Sequence, residues 1–272
     1  MQGERRSGRK IKRQEEKIPL FQMPEEIPRG KMVLRTGENR AMILAAGLGT
    51  RLGSLTENKP KALVEWKGRT LLDHVVLKLK KAGFSEIIIN IHHFAEMITE
   101  YVERKEQYGI HIEFSYEKEE LLDTGGGIAN ASWFFGNEPF LVHNVDILSG
   151  IDLKRLWKTH CESGAIATLA VKERVTSRSL LMDGNGLLKG WRDNRSGETV
   201  LVDERAEGLI PIAFSAIHVM DPGIIGLFPE KKKFPIIPFY LELARTRPVY
   251  LYRHDSDEWT DMGKLESYSG LS

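Results

Sequence analysis

The chain has 272 residues, of which 41% are hydrophobic and 28% are charged, and Cys161 is its single cysteine. This composition is typical of a globular protein with a substantial core, and it includes no apolar segment of the roughly 20 residues that a membrane span needs. One cysteine excludes an internal disulfide and favours a reducing, cytoplasmic setting. We therefore expect no membrane partner.

Positive charge is concentrated at the amino terminus, where residues 1–40 contain 11 Lys and Arg against 6 Asp and Glu. The first part of this segment is almost free of apolar residues and has no hydrophobic stretch like that of a secretory signal. Residues 1–40 are predicted to be a disordered extension that precedes one folded domain over 41–272. A basic tail that contacts nucleic acid or anionic lipid is the alternative. We favour the extension, with Met32 and Met42 as other possible starts, and expect no nucleic-acid partner.

From residue 41 onward, apolar segments alternate with amphipathic ones. Leu71–Leu79 has an apolar face at helical spacing behind Thr70, a possible N-cap, and Met97–Val102 has another such face. Strands separated by helices indicate a parallel sheet covered on both faces, with ligands bound at the carboxyl ends of the strands. The predicted strands are Ala41–Ala45, Glu86–Ile91, His111–Tyr116, Pro139–Val145 and Ala165–Val171.

The pattern changes after a predicted helix at Leu153–Cys161. Ser179–Asp183 and Leu187–Trp191 flank a Gly-Asn-Gly turn, which is typical of a β-hairpin. The predicted class is therefore α/β, with a Rossmann-like mixed, mostly parallel sheet and helices on both faces. Further elements are predicted at Ile210–Met220 as a strand and at Gly223–Phe228 and Pro238–Ala244 as short helices.

A glycine turn, AAGLGTRLGSLTENKPK, follows the first predicted strand. Gly47 and Gly49 have no Cβ, so backbone N–H groups there can approach an anion closely. Arg51 and Lys61 add positive charge nearby. The spacing fits neither the P-loop nor the G-x-G-x-x-G pattern. The alternative is an ordinary surface loop, but the combination favours a polyphosphate ligand.

Asp146 directly follows the predicted strand Pro139–Val145. A carboxylate at the end of a buried strand is costly unless it faces a ligand or a cation. Mg²⁺ in polyphosphate sites is held by a few carboxylates together with phosphate oxygens and water. Helix capping is the alternative, but Asp152 is better suited to cap the following helix. We interpret Asp146 as a magnesium ligand.

Three consecutive glycines, Gly125, Gly126 and Gly127, come just before a predicted helix. Such a run is costly in conformational entropy, so it indicates a purpose. It would let a flat ring or a ribose lie against bare backbone. A flexible hinge is the alternative, and we favour nucleotide contact.

The stretch Leu44–Lys61 resembles the signature of sugar nucleotidyltransferases, L-A-A-G-x-G-T-R-L-x-P-L-T-x-x-x-P-K. Gly53 stands where the family has proline, which changes loop stiffness rather than chemistry. The triple glycine resembles the E-T-G-G-G-I segment of smaller members, the N-acetylmuramate 1-phosphate uridylyltransferase and mannose 1-phosphate guanylyltransferase-like subgroup, with Asp123 in place of glutamate. The resemblance covers about residues 41–272.

The resemblance implies the reaction of an NTP with a sugar 1-phosphate to give an NDP-sugar and pyrophosphate, with Mg²⁺ as cofactor. Asp146 matches one metal-binding aspartate of the family, and Asp261, in a W-x-D-x-G segment, matches the second. Arg51 is implied to contact the β- and γ-phosphates and Lys61 the α-phosphate, both as catalytic residues. The residues implied to bind the nucleotide are Ala46, Gly47, Gly49, Thr50, Gly125, Gly126 and Gly127.

The sugar-binding half departs from the family pattern, because the usual Glu-Lys pair is absent from Lys189–Asp193. Lys172 or Arg192 is then expected to contact the sugar phosphate, and Trp191 to stack on a sugar face. The identity of the sugar stays undetermined. Uridine is the first choice of base, with guanosine and cytidine next, and a monomer or homodimer is expected.

Two other functions fit part of the sequence. A regulatory homologue would bind nucleotide sugars without turnover, but it is not expected to keep all four catalytic and metal-binding residues. A glycosyltransferase of similar fold would carry a D-x-D motif where this chain reads Asn144-Val145-Asp146. Nucleotidyl transfer is favoured.

Overall fold

The computed structural model of this protein describes residues 39–268, so the predicted extension lies almost wholly outside the described residues. None of the described helices is long and apolar enough to cross a membrane. The strands are β1 (Asn39–Leu44), β2 (Glu65–Trp66), β3 (Arg69–Thr70), β4 (Phe84–Ile91), β5 (His111–Tyr116), β6 (Phe140–Asn144), β7 (Ile147–Ser149), β8 (Ala167–Lys172), β9 (Arg178–Met182), β10 (Leu188–Asp193), β11 (Thr199–Leu201), β12 (Ile210–Met220), β13 (Val249–Arg253) and β14 (Trp259–Asp261). The α-helices are α1 (Leu71–Ala82), α2 (Ala95–Arg104), α3 (Asp123–Asn130), α4 (Leu153–Ser163) and α5 (Ile236–Leu243), and 3₁₀ turns cover Thr50–Thr56, Lys61–Leu63, Glu106–Gly109, Ser132–Phe134, Pro222–Leu227 and Leu265–Tyr268.

A ten-stranded mixed sheet runs in the order β11-β10-β9-β12-β6-β1-β4-β5, with β8 paired to β12 and β13 paired to β8. Strands β6, β1, β4 and β5 are parallel, whereas β12 is antiparallel to β6, β8 and β9. Ala41 and Ile43 of β1 pack with α1, α2 and α4, and Met42 between them packs with α3 and α5 on the other face. The predicted α/β fold, with helices on both faces of a mixed sheet, is confirmed.

Local signals in the sequence account for most element boundaries. Each of the five strands predicted before the hairpin is present within two residues of its expected ends. Thr70 caps α1 in a capping box with Asp73, and Asp152 caps α4 by accepting hydrogen bonds from two backbone amides. One expectation is wrong: the triple glycine lies inside α3 and not before a helix. The two-stranded sheet of β7 and β14 was not predicted.

Four histidines are buried among the described residues, and three of them, His143, His160 and His218, have strongly lowered pKa values. Burial lowers the pKa of His143 to about 4, of His160 to about 4 and of His218 to about 3. The ring of His218 stacks on Phe214, and neither of its ring nitrogens has a hydrogen-bond partner among the described residues. These imidazoles are therefore neutral in the folded protein at neutral pH.

We expect the free energy of unfolding to fall as the pH drops from about 6.5 towards 4, because the unfolded chain binds protons at these histidines before the folded chain does. Each histidine contributes up to about 1.4 kcal/mol per pH unit within that window. Urea unfolding at pH 7, 6 and 5 measures the slope. His218→Phe should make the slope shallower, since phenylalanine has no proton to bind. If His218→Phe left the slope unchanged, the conclusion that His218 is neutral in the folded protein would be contradicted.

Candidate active site

The loop that follows β1 presents its backbone to solvent. Asn90 on β4 holds the start of the loop, because its Oδ1 accepts hydrogen bonds from the amides of Ala45 (2.7 Å) and Ala46 (3.4 Å). Beyond them Gly47 is exposed, and nothing lies within 4 Å of the position that a Cβ would occupy. Gly49 has a φ of 69°, in the left-handed region that favours glycine. An anion can therefore approach this backbone closely.

The two predicted catalytic cations lie just after this loop. Thr50 and Arg51 begin the first 3₁₀ turn and are both exposed. Lys61 begins the second 3₁₀ turn, and its Nζ donates to Oδ2 of Asp146, which lies between β6 and β7. The side chains of this ion pair are only 12% and 10% exposed. Each charge therefore stabilises the other where solvent screening is weak.

Asp261 lies next to Asp146 although the two are far apart in the sequence. Strand β14 pairs with β7 in an antiparallel ladder that sets Asp261 opposite Ile147. The amide of Met262 donates to the backbone carbonyl of Asp146 at 2.8 Å. The unpredicted two-stranded sheet thus brings the two predicted metal ligands together.

Gly263 is the point on which these side chains converge. A Cβ at Gly263 would lie 2.6 Å from Oδ2 of Asp146, 2.9 Å from Nη2 of Arg51 and 2.9 Å from Oδ1 of Asp261. Since Lys61 contacts Asp146, all four predicted catalytic and metal-binding residues lie in one cluster. Gly263 is the glycine of the W-x-D-x-G segment, whose pattern alone indicated no role for it.

Gly263→Ala is expected to lower kcat by about 10²-fold, because the new methyl group must displace the arginine or a carboxylate by a distance on the order of 1 Å. A steady-state assay of pyrophosphate release measures the effect. Gly226→Ala is the matched control, since a Cβ there meets nothing within 4 Å. If Gly263→Ala and Gly226→Ala were equally active, the close approach of the catalytic side chains to Gly263 would be contradicted.

The pair of carboxylates suits Mg²⁺. Asp146 and Asp261 present two carboxylates side by side, whereas residues 39–268 contain no cluster of three or more His, Cys, Asp or Glu that could hold a metal ion. Mg²⁺ typically takes one or two carboxylates and completes its shell with phosphate oxygens and water. Tyr268 lies near both: burial and the charges of the two aspartates raise the pKa of its hydroxyl to about 12. No sequence pattern pointed to Tyr268.

The three glycines of α3 are packed against other parts of the chain. A Cβ on Gly125 would overlap the ring of Phe234, and one on Gly126 would overlap the carbonyl of Lys232. A glycine inside a helix is disfavoured by about 1 kcal/mol relative to alanine. This packing explains why positions 125 and 126 are glycine. Contact of Gly125, Gly126 and Gly127 with the nucleotide stays a prediction.

A buried carboxylate links α3 to the loop after β1. Glu117 is 3% exposed, and its Oε1 accepts from Nδ2 of Asn90 at 2.6 Å. Its Oε2 accepts from the amide of Leu122 at 2.8 Å, directly before α3. A Cβ on Gly127 would lie 2.7 Å from Oε1 of Glu117. Because Asn90 also holds the loop, one network connects both segments. No motif in the sequence pointed to Glu117.

The two cations predicted for the sugar phosphate have partners within the protein. Nζ of Lys172 donates to the carbonyls of Asp255 and Asp257, the latter at 2.8 Å, and so holds the segment that leads into β14. Arg192 is exposed on β10, and its Nε donates to Oγ1 of Thr199 at 3.3 Å. Their contacts with a sugar phosphate stay predictions.

A cavity of ≈ 580 Å³ lies between the hairpin and α5. Trp191 and Phe214 line it together with aliphatic residues of α5. Trp191 and Arg192 are consecutive on β10, so their side chains point to opposite faces, and only Trp191 lines the cavity. The charged lining residues are Arg178, Glu242 and Arg245.

Sequence similarity shows the family to which this chain belongs. The sequence profile described as nucleotidyl transferase matches residues 40–179, a little more than half of the chain. The chain belongs to the nucleotidyl transferase family. The predicted family is thereby confirmed.

Relatives of this nucleotidyl transferase include the N-acetylmuramate alpha-1-phosphate uridylyltransferase of Caulobacter vibrioides, 32% identical over 75% of this chain and 84% of the relative. The UTP–glucose-1-phosphate uridylyltransferase of Synechocystis sp. is 29% identical over 84% of this chain, which spans only 61% of that longer protein. The crystal structure of HddC from Yersinia pseudotuberculosis, complexed with GMP-PN, shares the fold with a TM-score of 0.69 and 24% identity, over 85% of this chain and 96% of HddC. The predicted class of enzyme, a sugar-1-phosphate nucleotidyltransferase, is confirmed.

Proposed function

We propose that this chain transfers a nucleotidyl group from an NTP to a sugar 1-phosphate, with Mg²⁺, and releases pyrophosphate. The observation that carries the proposal is the convergence of Arg51, Lys61, Asp146 and Asp261 around Gly263, beside an open glycine loop. Two anions must meet in this reaction, so positioning and charge neutralisation account for most of the catalysis.

In the proposed mechanism the backbone from Ala46 to Thr50 binds the triphosphate. A phosphate oxygen of the sugar 1-phosphate attacks the α-phosphorus in line and forms a new P–O bond. The bond from the α-phosphorus to the bridging oxygen breaks, and its electron pair leaves with pyrophosphate. Arg51 stabilises the leaving pyrophosphate, and Lys61 stabilises the charge that develops on the α-phosphate.

Asp146 and Asp261 would hold Mg²⁺, which neutralises charge on phosphate oxygens when it is bound. The ion pair with Lys61 keeps one oxygen of Asp146 fixed in place. Lys61 therefore orients one of the proposed oxygen ligands before any substrate arrives.

Uridine is the base that we propose, with guanosine second. Both relatives described above carry the name uridylyltransferase, and HddC is complexed with GMP-PN. Gly125, Gly126 and Gly127 are proposed to lie beside the nucleotide, although the amides of Gly125 and Gly126 donate to the backbone carbonyl of Phe234. We propose a cytoplasmic location, which the single cysteine favours, and a monomer or homodimer.

Pyrophosphate release from UTP, GTP, CTP and dTTP, each with glucose 1-phosphate, mannose 1-phosphate and N-acetylmuramate 1-phosphate, tests this function. We expect release only when an NTP, a sugar 1-phosphate and Mg²⁺ are all present. Nucleotide-sugar binding without release in any combination would favour the regulatory alternative and contradict the proposal.

A further inference from the structure

Arg174 lies beside the cluster around Gly263 but took no part in the sequence analysis. It follows β8, and its guanidinium carbon lies 3.9 Å from the centroid of the Trp259 ring. Nη2 of Arg174 donates to the carbonyl of Phe214 at 2.9 Å. A stacked guanidinium with one fixed hydrogen bond has a defined orientation, which is the condition for recognising a planar or tetrahedral anion through its remaining donors.

A bulge in β12 frees the backbone carbonyl of Phe214, which accepts the hydrogen bond from Arg174. The ladder between β12 and β8 pairs Phe214 with Val171 and then shifts register before His218. Within the bulge Ala216 has a φ of 56°, so the ladder is interrupted there. The freed carbonyls take side-chain donors: that of Phe214 accepts from Arg174, and that of Ser215 accepts from Nε1 of Trp259 at 3.1 Å.

The guanidinium of Arg174 lies on the same side as Asp261, one of the two predicted magnesium ligands. Trp259 and Asp261 are two residues apart on β14, so their side chains lie on the same face of that strand. Arg174, stacked on Trp259, is therefore on the side of Asp261. Burial lowers the pKa of Arg174, and the nearby carboxylate of Asp261 acts in the opposite direction.

Arg174 also has a hydrogen-bond donor without a partner in the described part of the chain. Its Nε is buried and has no hydrogen-bond partner among residues 39–268. Asp261 acts on Arg174 electrostatically, but no ion pair within 4.0 Å joins them in the described part of the chain. A half-buried cation with an unpartnered donor is costly to retain unless an anion binds it.

We propose that Arg174 binds the phosphate group of the sugar 1-phosphate and sets it against the α-phosphate of the nucleotide. This inference rests on the proposed function and adds a residue to it.

Arg174→Gln is expected to raise KM for the sugar 1-phosphate by about tenfold to a hundredfold, because a charge-assisted hydrogen-bond pair is lost. KM for the NTP should change by less than about twofold, since the triphosphate binds elsewhere. The assay uses glucose 1-phosphate and N-acetylmuramate 1-phosphate with UTP. Arg104→Gln, on the exposed face of α2, is the matched control.

Arg174→Lys keeps the charge and should restore part of the lost affinity, whereas a purely structural role for the stacked guanidinium would give no such selective recovery. An equal rise in both KM values, or no rise, would overturn the inference and leave the proposed function standing. A rise on Arg192→Gln alone would assign the phosphate to Arg192 instead. A wild-type enzyme that releases no pyrophosphate would overturn both proposals.

Discussion

Replacing Lys61 by alanine is expected to lower kcat for pyrophosphate release by about 10³-fold or more, because a cation on the transferring phosphoryl group is worth about 10³ to 10⁵ in rate. The free energy of unfolding should also fall by about 1–3 kcal/mol, since Asp146 loses its charge partner at a position with little solvent. Steady-state kinetics and urea unfolding measure the two effects separately.

Lys158→Ala is the matched control for this change. Lys158 is exposed on α4 and contacts Glu162 one helical turn later, so its loss should leave both kcat and stability nearly unchanged. If Lys61→Ala lost only stability and kept its kcat, Lys61 would be a structural partner of Asp146 and not a catalytic residue.

Replacing Asp146 by asparagine should abolish measurable turnover and is the second of the two largest effects that we expect. Asparagine keeps the size of the side chain but removes the negative charge that is proposed to hold the metal. It also leaves Lys61 without its anionic partner. A titration of activity with Mg²⁺ should show no recovery up to concentrations that saturate the wild-type enzyme.

Asp152→Asn provides the control, because the substitution is chemically identical and Asp152 lies six residues away in the sequence. Asp152 accepts hydrogen bonds from the amides of Lys154 (3.0 Å) and Arg155 (3.1 Å) as the N-cap of α4, and asparagine caps a helix equally well. Wild-type activity in Asp146→Asn would remove the proposed magnesium site.

Sequence reasoning predicted those parts of the fold that depend on local signals. The strand pattern of β1, β4 and β5, the Thr70 cap and the Gly-Asn-Gly hairpin turn are each encoded by neighbouring residues. The pairing of β7 with β14 joins short strands separated by more than 100 residues. Each strand has only three residues, too few to indicate which strand it pairs with. That pairing is what brings Asp261 beside Asp146.

The triple glycine shows a different limit. Its composition favoured a loop, since glycine is a poor helix former, but the segment is helical because Phe234 and Lys232 approach its backbone. Tertiary packing decided against local propensity here. Arg174 was missed for a related reason: its stacking on Trp259 and its bond to the carbonyl of Phe214 exist only after the bulge in β12 has formed.

The transfer of label from [α-³²P]UTP to a sugar nucleotide tests the central claim most directly. With a sugar 1-phosphate and Mg²⁺, the account predicts that the label appears in an NDP-sugar in equal amount to the pyrophosphate released, and that Asp146→Asn forms neither product. Pyrophosphate released with the label in UMP, or no transfer from any NTP to any sugar 1-phosphate, would contradict it.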